Sequence, residues 1–421
     1  MRRSRFELTA EILIAFFVWA PLCWKGLRRL GDETDFTIYL DAARRLLAWQ
    51  AIYDGEYMYP PLLAFLLTPF ALLPGWLAGA LWLLAKIPLC AWSAHRLLTA
   101  GPWSARQRRI GLALAPLLIY RFLDSDLTTG NSNVYVLAGC VLGFAFAAQG
   151  RAMTGGLLLA AASAIKLAPL YLVAAAIANR SFRFALASSC ALLVFLALPF
   201  LGCPEGPHVG LREFNKANTA AILAVDEPVD RNGSDHDLSG YVAGQSLRAF
   251  LHRILRPIDA SAHDGGEIVA INWCALSGGT VEWIYRILAV LGGGLCIWAM
   301  RHRSWRWTIA FACAVLLWLV PYARKGHFVL LLPGYLLMVE TLLTARLERK
   351  TWIWLTVISS WMLGQLSTSG VWGKPQVTII LSYCPVGWAA VALAVALWWI
   401  PTHHSFQEPD RSTLISPGSK L

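Results

Sequence analysis

Asp35–Pro61, DFTIYLDAARRLLAWQAIYDGEYMYPP, lies between two long apolar runs and decides how the rest of the chain is read. Phe36, Tyr39, Leu40, Ala43, Leu46 and Leu47 recur at helical spacing, while Asp41, Arg44 and Arg45 fall elsewhere. Asp35 is a residue type that caps helix N-termini. An amphipathic helix of this kind lies along a membrane surface instead of crossing it, which would hold Asp35 at the water–lipid boundary. Tyr53, Tyr57 and Tyr59 then lead into Pro60-Pro61, where the chain re-enters the bilayer.

Composition agrees with a membrane setting. The 421 residues are 57% hydrophobic and only 14% charged, with a mean hydropathy of +0.53. A soluble chain of this length carries far more charge. The apolar runs are long and do not alternate, which excludes a β-barrel. The 20 Trp and 12 Tyr suit an interfacial belt. The net charge of +11 comes from short basic clusters between apolar segments, the pattern of orientation signals and not of nucleic-acid binding. Nine cysteines are scattered without a CxxC, so neither a zinc nor a redox motif is indicated. Cys203 and Cys274 share the longest polar loop and could pair in an oxidising compartment.

These features predict an all-α polytopic membrane protein with roughly 11–13 membrane helices, some short and re-entrant, and external amphipathic helices. Residues 1–400 form one transmembrane domain, and 401–421 a disordered cytoplasmic tail. Met1–Glu7 is cytoplasmic and Leu8–Trp24 reads as a retained signal anchor. The loop 25–59 is external. Pro60–Leu98 is too long for one crossing and is divided by Pro69, Pro74-Gly75 and Pro88, which predicts a short re-entrant helix plus a full span. Ile110–Leu123 exits, DSDLTTGNSN (124–133) is external and Val134–Gln149 returns. Gly155–Ala178 carries Lys166 and Pro169 at its centre, so it reads as a hairpin of two short helices with Lys166 near the outer tip. Phe184–Leu201 exits into the long external loop 202–280, which has an amphipathic portion around Tyr241–Ile258. The remaining spans are read at Val281–Met300, Trp307–Val320, Phe328–Thr344, Trp352–Leu366 and Val377–Ile400.

Drawn this way, the Asp35 loop, DSDLTTGNSN, the Lys166 turn, the long loop 202–280 and Tyr322–His327 all lie on one face. A transporter or lipid-linked-sugar flippase also needs cavity-facing charges, but should place them on both sides of the bilayer midplane.

Five segments in order resemble glycosyltransferase family 87, the polyprenyl-phosphate-mannose-dependent mannosyltransferases of the GT-C superfamily. DFTIYLDAARRLL followed by AIYDGEYMYPPLLAFLLTPFALLP is similar to the family's first external loop. TTGNSNVYVL looks like its Gly-Gln-x-Asn segment, with Asn131 where Gln is usual. GGLLLAAASAIKLAPLYLV resembles its Gly-rich helix ending in Lys-x-x-Pro. AGQSLRAFLHRIL resembles its Gln-Ser-Leu segment, and VPYARKGHFVLLLP its Pro-to-His turn. The resemblance covers about Asp35 to Pro333.

It implies a GT-C fold in a bacterial inner (plasma) membrane. The site would face the periplasm or cell exterior and move a sugar, mannose in this family, from a polyprenyl-phosphate donor to a lipid-linked or glycan acceptor. Asp35 matches the family's catalytic aspartate and is expected to act as general base, with inversion. His327 would bind donor phosphate or assist proton transfer. Lys166, Arg324 and Lys325 are candidate phosphate partners. Asn131, Asn133 and Gln245 could hydrogen-bond sugar hydroxyls, with Tyr39 and Tyr59 beside the substrate. Structural roles, as caps, turns or headgroup anchors, stand as alternatives for each. Asp124 and Asp126 form a DxD-like pair, yet the resemblance implies neither metal nor other cofactor, and no nucleic-acid partner.

Overall fold

A computed structural model describes residues 5–29, 32, 34–53, 56–202, 210–217, 241–261, 268–344 and 350–400. These residues build helices and connecting turns, with no strand among them. In chain order the first half comprises α1 (Arg5–Arg28), α2 (Asp35–Leu47), α3 (Pro61–Leu66), α4 (Thr68–Ala71), α5 (Gly75–Thr99), α6 (Ala105–Leu118), α7 (Tyr120–Thr128), α8 (Asn133–Ala148), α9 (Ala152–Ile165), α10 (Leu170–Ala178) and α11 (Phe182–Ala197). The second half comprises α12 (210–217), α13 (Leu247–Leu255), α14 (Gly278–Ala299), α15 (Trp305–Leu319), α16 (Leu332–Thr344), α17 (Lys350–Leu366), α18 (Ser369–Trp372), α19 (Lys374–Ser382) and α20 (Pro385–Trp398).

The chain is an all-α polytopic membrane protein. Among the described residues, four stretches are long and apolar enough to cross a bilayer alone: Gly75–Thr99, Phe182–Leu201, Gly278–Ala299 and Lys325–Leu343. A bent pair, Gln376–Ser382 with Pro385–Trp398, makes a fifth if counted as one span. The expected larger number of membrane helices therefore draws on short and broken ones such as α8, α9 and α15.

Breaks fall where the sequence removes a helical donor or forces the backbone. Pro69 and Pro74 divide residues 61–99 into α3, α4 and α5, so two short helices precede the span where one was expected, while Pro88 stays inside α5. The exit expected at 110–123 is split at Ile119, between α6 and α7. The continuous span expected over Val377–Ile400 is interrupted: Cys384 sits at φ 54° ahead of Pro385, and the two helices meet at 46°. The amphipathic portion of the long loop contracts to α13. Cys203, much of the 202–280 loop and the tail 401–421 lie outside the described residues; Cys274 is exposed.

A seam of small residues joins α8, α9 and α11. A Cβ on Gly155 would stand 2.4 Å from the carbonyl of Gly143 on α8, and one on Gly156 would stand 2.5 Å from the Cβ of Ala187 on α11. Close backbone approach of this kind is how helices gain packing in lipid, where burial of apolar surface gives no driving force. The seam continues toward the far end of α9, where a Cβ on Gly139 of α8 would stand 2.8 Å from the Cβ of Ala162, one turn before Lys166. Away from that end, Arg306 at the start of α15 binds Glu340 of α16 bidentately, at 2.9 and 2.6 Å, and Trp103 also donates to Glu340.

Candidate active site

The site is built from four chain breaks. The first is the start of α2. Thr34, not Asp35, takes the N-cap position; it has extended backbone, and its N–H donates to Thr37 Oγ1 at 2.9 Å. This corrects the capping role expected for Asp35. As the first helical residue, Asp35 keeps its carboxylate available.

The second break is the end of α7. The Asp35 N–H donates to the Thr129 carbonyl at 2.9 Å. Gly130 follows at φ +67°, with room for no side chain: a Cβ there would lie 2.7 Å from the Cβ of Phe36. Trp82 Nε1–H donates to the Gly130 carbonyl at 2.8 Å, and its ring stacks on Phe36 and on Tyr135. Gly130→Ala is therefore expected to lose at least about 1 kcal/mol from backbone strain alone, plus the cost of pushing Phe36 aside. A thermal melt of the two purified proteins in detergent checks this; equal midpoints would contradict it.

The third break is the α9–α10 turn, which presents Lys166, and the fourth is the 3-10 turn Lys325–Leu331, which carries His327. Between these breaks runs a chain of hydrogen bonds. Asn131 donates through Nδ2 to Asp35 Oδ2. Its Oδ1 accepts from Lys166 Nζ at 2.6 Å and from the Ser132 N–H at 2.8 Å. Lys166 Nζ also donates to Asn133 Oδ1 at 2.8 Å and lies 3.3 Å from His327 Nε2. An ammonium has three N–H donors and no acceptor. Its two amide neighbours are acceptors, while His327 Nδ1 faces both the Arg324 N–H, at 3.1 Å, and the Arg324 carbonyl, at 3.2 Å, so Nε2 accepts from Lys166 in one tautomer and offers its own N–H in the other. Asn133 Nδ2 donates to Asp126 Oδ1 at 3.0 Å, and Asp126 Oδ2 accepts from Lys86 Nζ at 2.8 Å. Tyr59 covers this group, with its ring centre 5.4 Å from Lys166 Nζ.

Outside Asp35 lies an open cleft of about 660 Å³, lined among others by Thr34, Asp35, Asp41, Glu56, Tyr57 and Arg324. Arg324 reaches it with the guanidinium over the Tyr322 ring and bonded to the Tyr322 hydroxyl. Burial pushes the Asp35 carboxyl above the ordinary carboxylate range; Lys166, Arg324 and the bond from Asn131 pull it back in part.

Of the residues singled out in the sequence, Asp35, Asn131, Asn133, Lys166, Arg324 and His327 come together, and Tyr59 joins them. Tyr39 is fully buried beneath, edge-on to Tyr59 at 4.9 Å, so it supports the floor and is not open to the cleft. Lys325 opens the turn between Arg324 and His327 and is half-buried. Gln245 does not join them. Its amide is spent on backbone groups, donating to the carbonyls of Val242 and Leu381 at 2.9 and 3.0 Å and accepting from the Val386 N–H at 3.3 Å. Its role there is to tie the loop ahead of α13 to the break before α20, since buried backbone groups need partners. Asp124 and Asp126 point apart into separate ion pairs, with Lys25 at 3.1 Å and Lys86 at 2.8 Å. Two residues of the site, Lys86 and Tyr322, are not among those singled out in the sequence. Lys86 carries the same signal as Lys166: a lone lysine deep in an apolar helix.

In this helical membrane protein the cluster places a buried lysine beside a carboxylate at the edge of an open cleft, an arrangement suited to acid–base chemistry. The model of glycosyltransferase family 87 matches residues 57–321, more than half of the chain. The chain belongs to that family and is a glycosyltransferase. The matched segment holds Tyr59, Lys86, Asp126, Asn131, Asn133 and Lys166. Asp35 lies before it and Arg324 and His327 just after it; Asp35 is joined to it through Thr129 and Asn131, and His327 through Lys166. No curated protein matches the chain.

Proposed function

We propose that the protein transfers a sugar, mannose on the family resemblance, from a polyprenyl-phosphate donor to a lipid-linked or glycan acceptor. The setting is the outer face of a bacterial plasma membrane, within a GT-C fold. Asp35 takes the proton from an acceptor hydroxyl. That oxygen attacks the anomeric carbon as the bond to phosphate breaks, which inverts the configuration, and polyprenyl phosphate leaves as the anion. Lys166, Arg324 and His327 stabilise the charge that develops on the phosphate. Phosphate is already a good leaving group, so one carboxylate suffices and no second acid is required. The reading includes no metal and no cofactor, and the divergence of Asp124 from Asp126 into separate ion pairs supports this.

The observation that supports this most is the Asp35–Asn131–Lys166–His327 connection, in which a carboxylate able to act as base lies one amide away from a cation able to meet a phosphate, beside the cleft. The test is transfer by purified protein in detergent, from radiolabelled polyprenyl-phosphate mannose to a membrane lipid extract, with and without EDTA. Label in a new lipid or glycan, undiminished by EDTA, is the expected result. Label that stays on the donor with every acceptor pool removes the donor assignment.

A further inference from the structure

The buried pair Lys86–Asp126 is not needed by the mechanism above, yet it is directly wired to it. Both groups are almost fully enclosed, at 1% and 0% side-chain exposure. Burying two charges is costly, and such a pair is poor evidence for stability as such. What it touches is more informative.

The two asparagines are used alike. Asn131 donates to the carboxylate of Asp35 and accepts from Lys166; Asn133 donates to the carboxylate of Asp126 and accepts from the same Lys166. The order is therefore carboxylate, amide, ammonium, amide, carboxylate, ammonium, from Asp35 to Lys86. Each amide separates opposite charges, and its orientation is fixed from both sides, because only Oδ1 can face an ammonium and only Nδ2 can face a carboxylate. The Asn133 backbone N–H also donates to Asp126 Oδ1 at 3.1 Å, and Lys86 also donates to the Asp126 carbonyl at 3.0 Å, so Asp126 cannot turn away.

We propose that Asp126, held by Lys86 and acting through Asn133, is a positioning residue that supplies Lys166 with a second counter-charge and so keeps it out of a direct ion pair with Asp35. This rests on the reading of Asp35 as base. Without Asp126, the attraction on Lys166 is one-sided. Lys166 would displace Asn131 and bind the carboxylate, which occupies the base and removes the cation from the phosphate. With Asp126 in place, Lys166 rests on two neutral amide oxygens beside His327 and can turn an N–H to a phosphate oxygen.

Asp126→Asn and the double variant Lys86→Met/Asp126→Asn test this. Among the described residues, Lys166, Arg324, Asp126, Tyr39, Tyr59 and Tyr322 act on Asp35, with Lys86 behind Asp126, and Arg29, Asp32, Asp41 and Glu56 line the same cleft. A direct Lys166 partner lowers the Asp35 pKa, and loss of the Asp126 charge lowers it as well, so the acidic limb of the kcat/KM profile should move to lower pH, and the fall in kcat is what marks the withdrawal of Lys166 from the phosphate. The double variant removes the unpaired buried lysine that would destabilise the single variant, and should melt close to wild type. It should still transfer at least about tenfold more slowly with the limb displaced. A double variant that transfers at the wild-type rate overturns the proposal, whether or not the limb moves, and leaves the pair a packing feature. So does a loss of rate with an unmoved limb. Wild-type transfer in the same experiment, with none by Asp35→Asn, separates these outcomes from a failure of the general-base reading.

Discussion

Asp35→Asn is expected to slow sugar transfer by about 10²–10⁴-fold, the usual contribution of a positioned general base, without lowering the melting temperature. The fold does not depend on this carboxylate: Thr34 occupies the cap of α2, and the Asp35 N–H bond to Thr129 belongs to the backbone. Burial raises the Asp35 pKa, so the folded state binds a proton more tightly than the unfolded chain. Above the ordinary carboxylate range the ionised group therefore costs stability, and the neutral asparagine removes that cost. The same shift sets the pH dependence of the wild type. The base works ionised, so activity falls as pH drops through the raised pKa, and the acidic limb should lie above the range of an exposed aspartate. Transfer assays across pH, run beside melts in the same detergent, check both points. A well-folded Asp35→Asn that transfers at the wild-type rate would falsify the assignment of the base.

Lys166→Met should cost about 10²–10³-fold in kcat, the scale of one lost donor to developing charge, and should raise the KM for the donor as well. The lysine offers three N–H groups at one point, and the phosphate replaces one of its acceptors. Arginine at this position is not an equivalent, because its planar fork cannot meet Asn131, Asn133 and His327 from a single nitrogen. Lys166→Arg should therefore recover little. Methionine also leaves the Asn133 amide oxygen without its donor, while Asn131 Oδ1 keeps the Ser132 N–H, so a loss of stability of about 1–3 kcal/mol is expected alongside. Rates over a series of donor concentrations separate the two effects. Unchanged kcat with raised KM would make Lys166 a binding group only, and unchanged values of both would remove it from the site.

Much of the site is legible in the sequence. The isolated lysine and proline at 166 and 169 mark a break in an apolar run because a charge at bilayer depth needs a polar surrounding, and the break is where α9 ends. Asp35, on an amphipathic segment between apolar runs, points to the surface end of the fold. Gln245 misleads, because a polar residue in a family-like segment gives no sign of whether its amide meets a substrate or a carbonyl. Lys86 is hard to place because its partner, Asp126, lies 40 residues further along the chain.

The sequence alone determined that this chain lives in a membrane, that it is helical, and which polar segments gather at one end. Those follow from the cost of placing unpaired polar groups in lipid, which is written in local composition and spacing. Only the tertiary structure decided the order of the network: that Thr34 caps and Asp35 does not, that two asparagines stand between three charges, and that Asp124 and Asp126 part company. Such choices depend on which donor meets which acceptor across segments as much as 161 residues apart, the separation of Lys166 and His327. No local pattern encodes that pairing; the packing of α5, α7, α8 and α9 does.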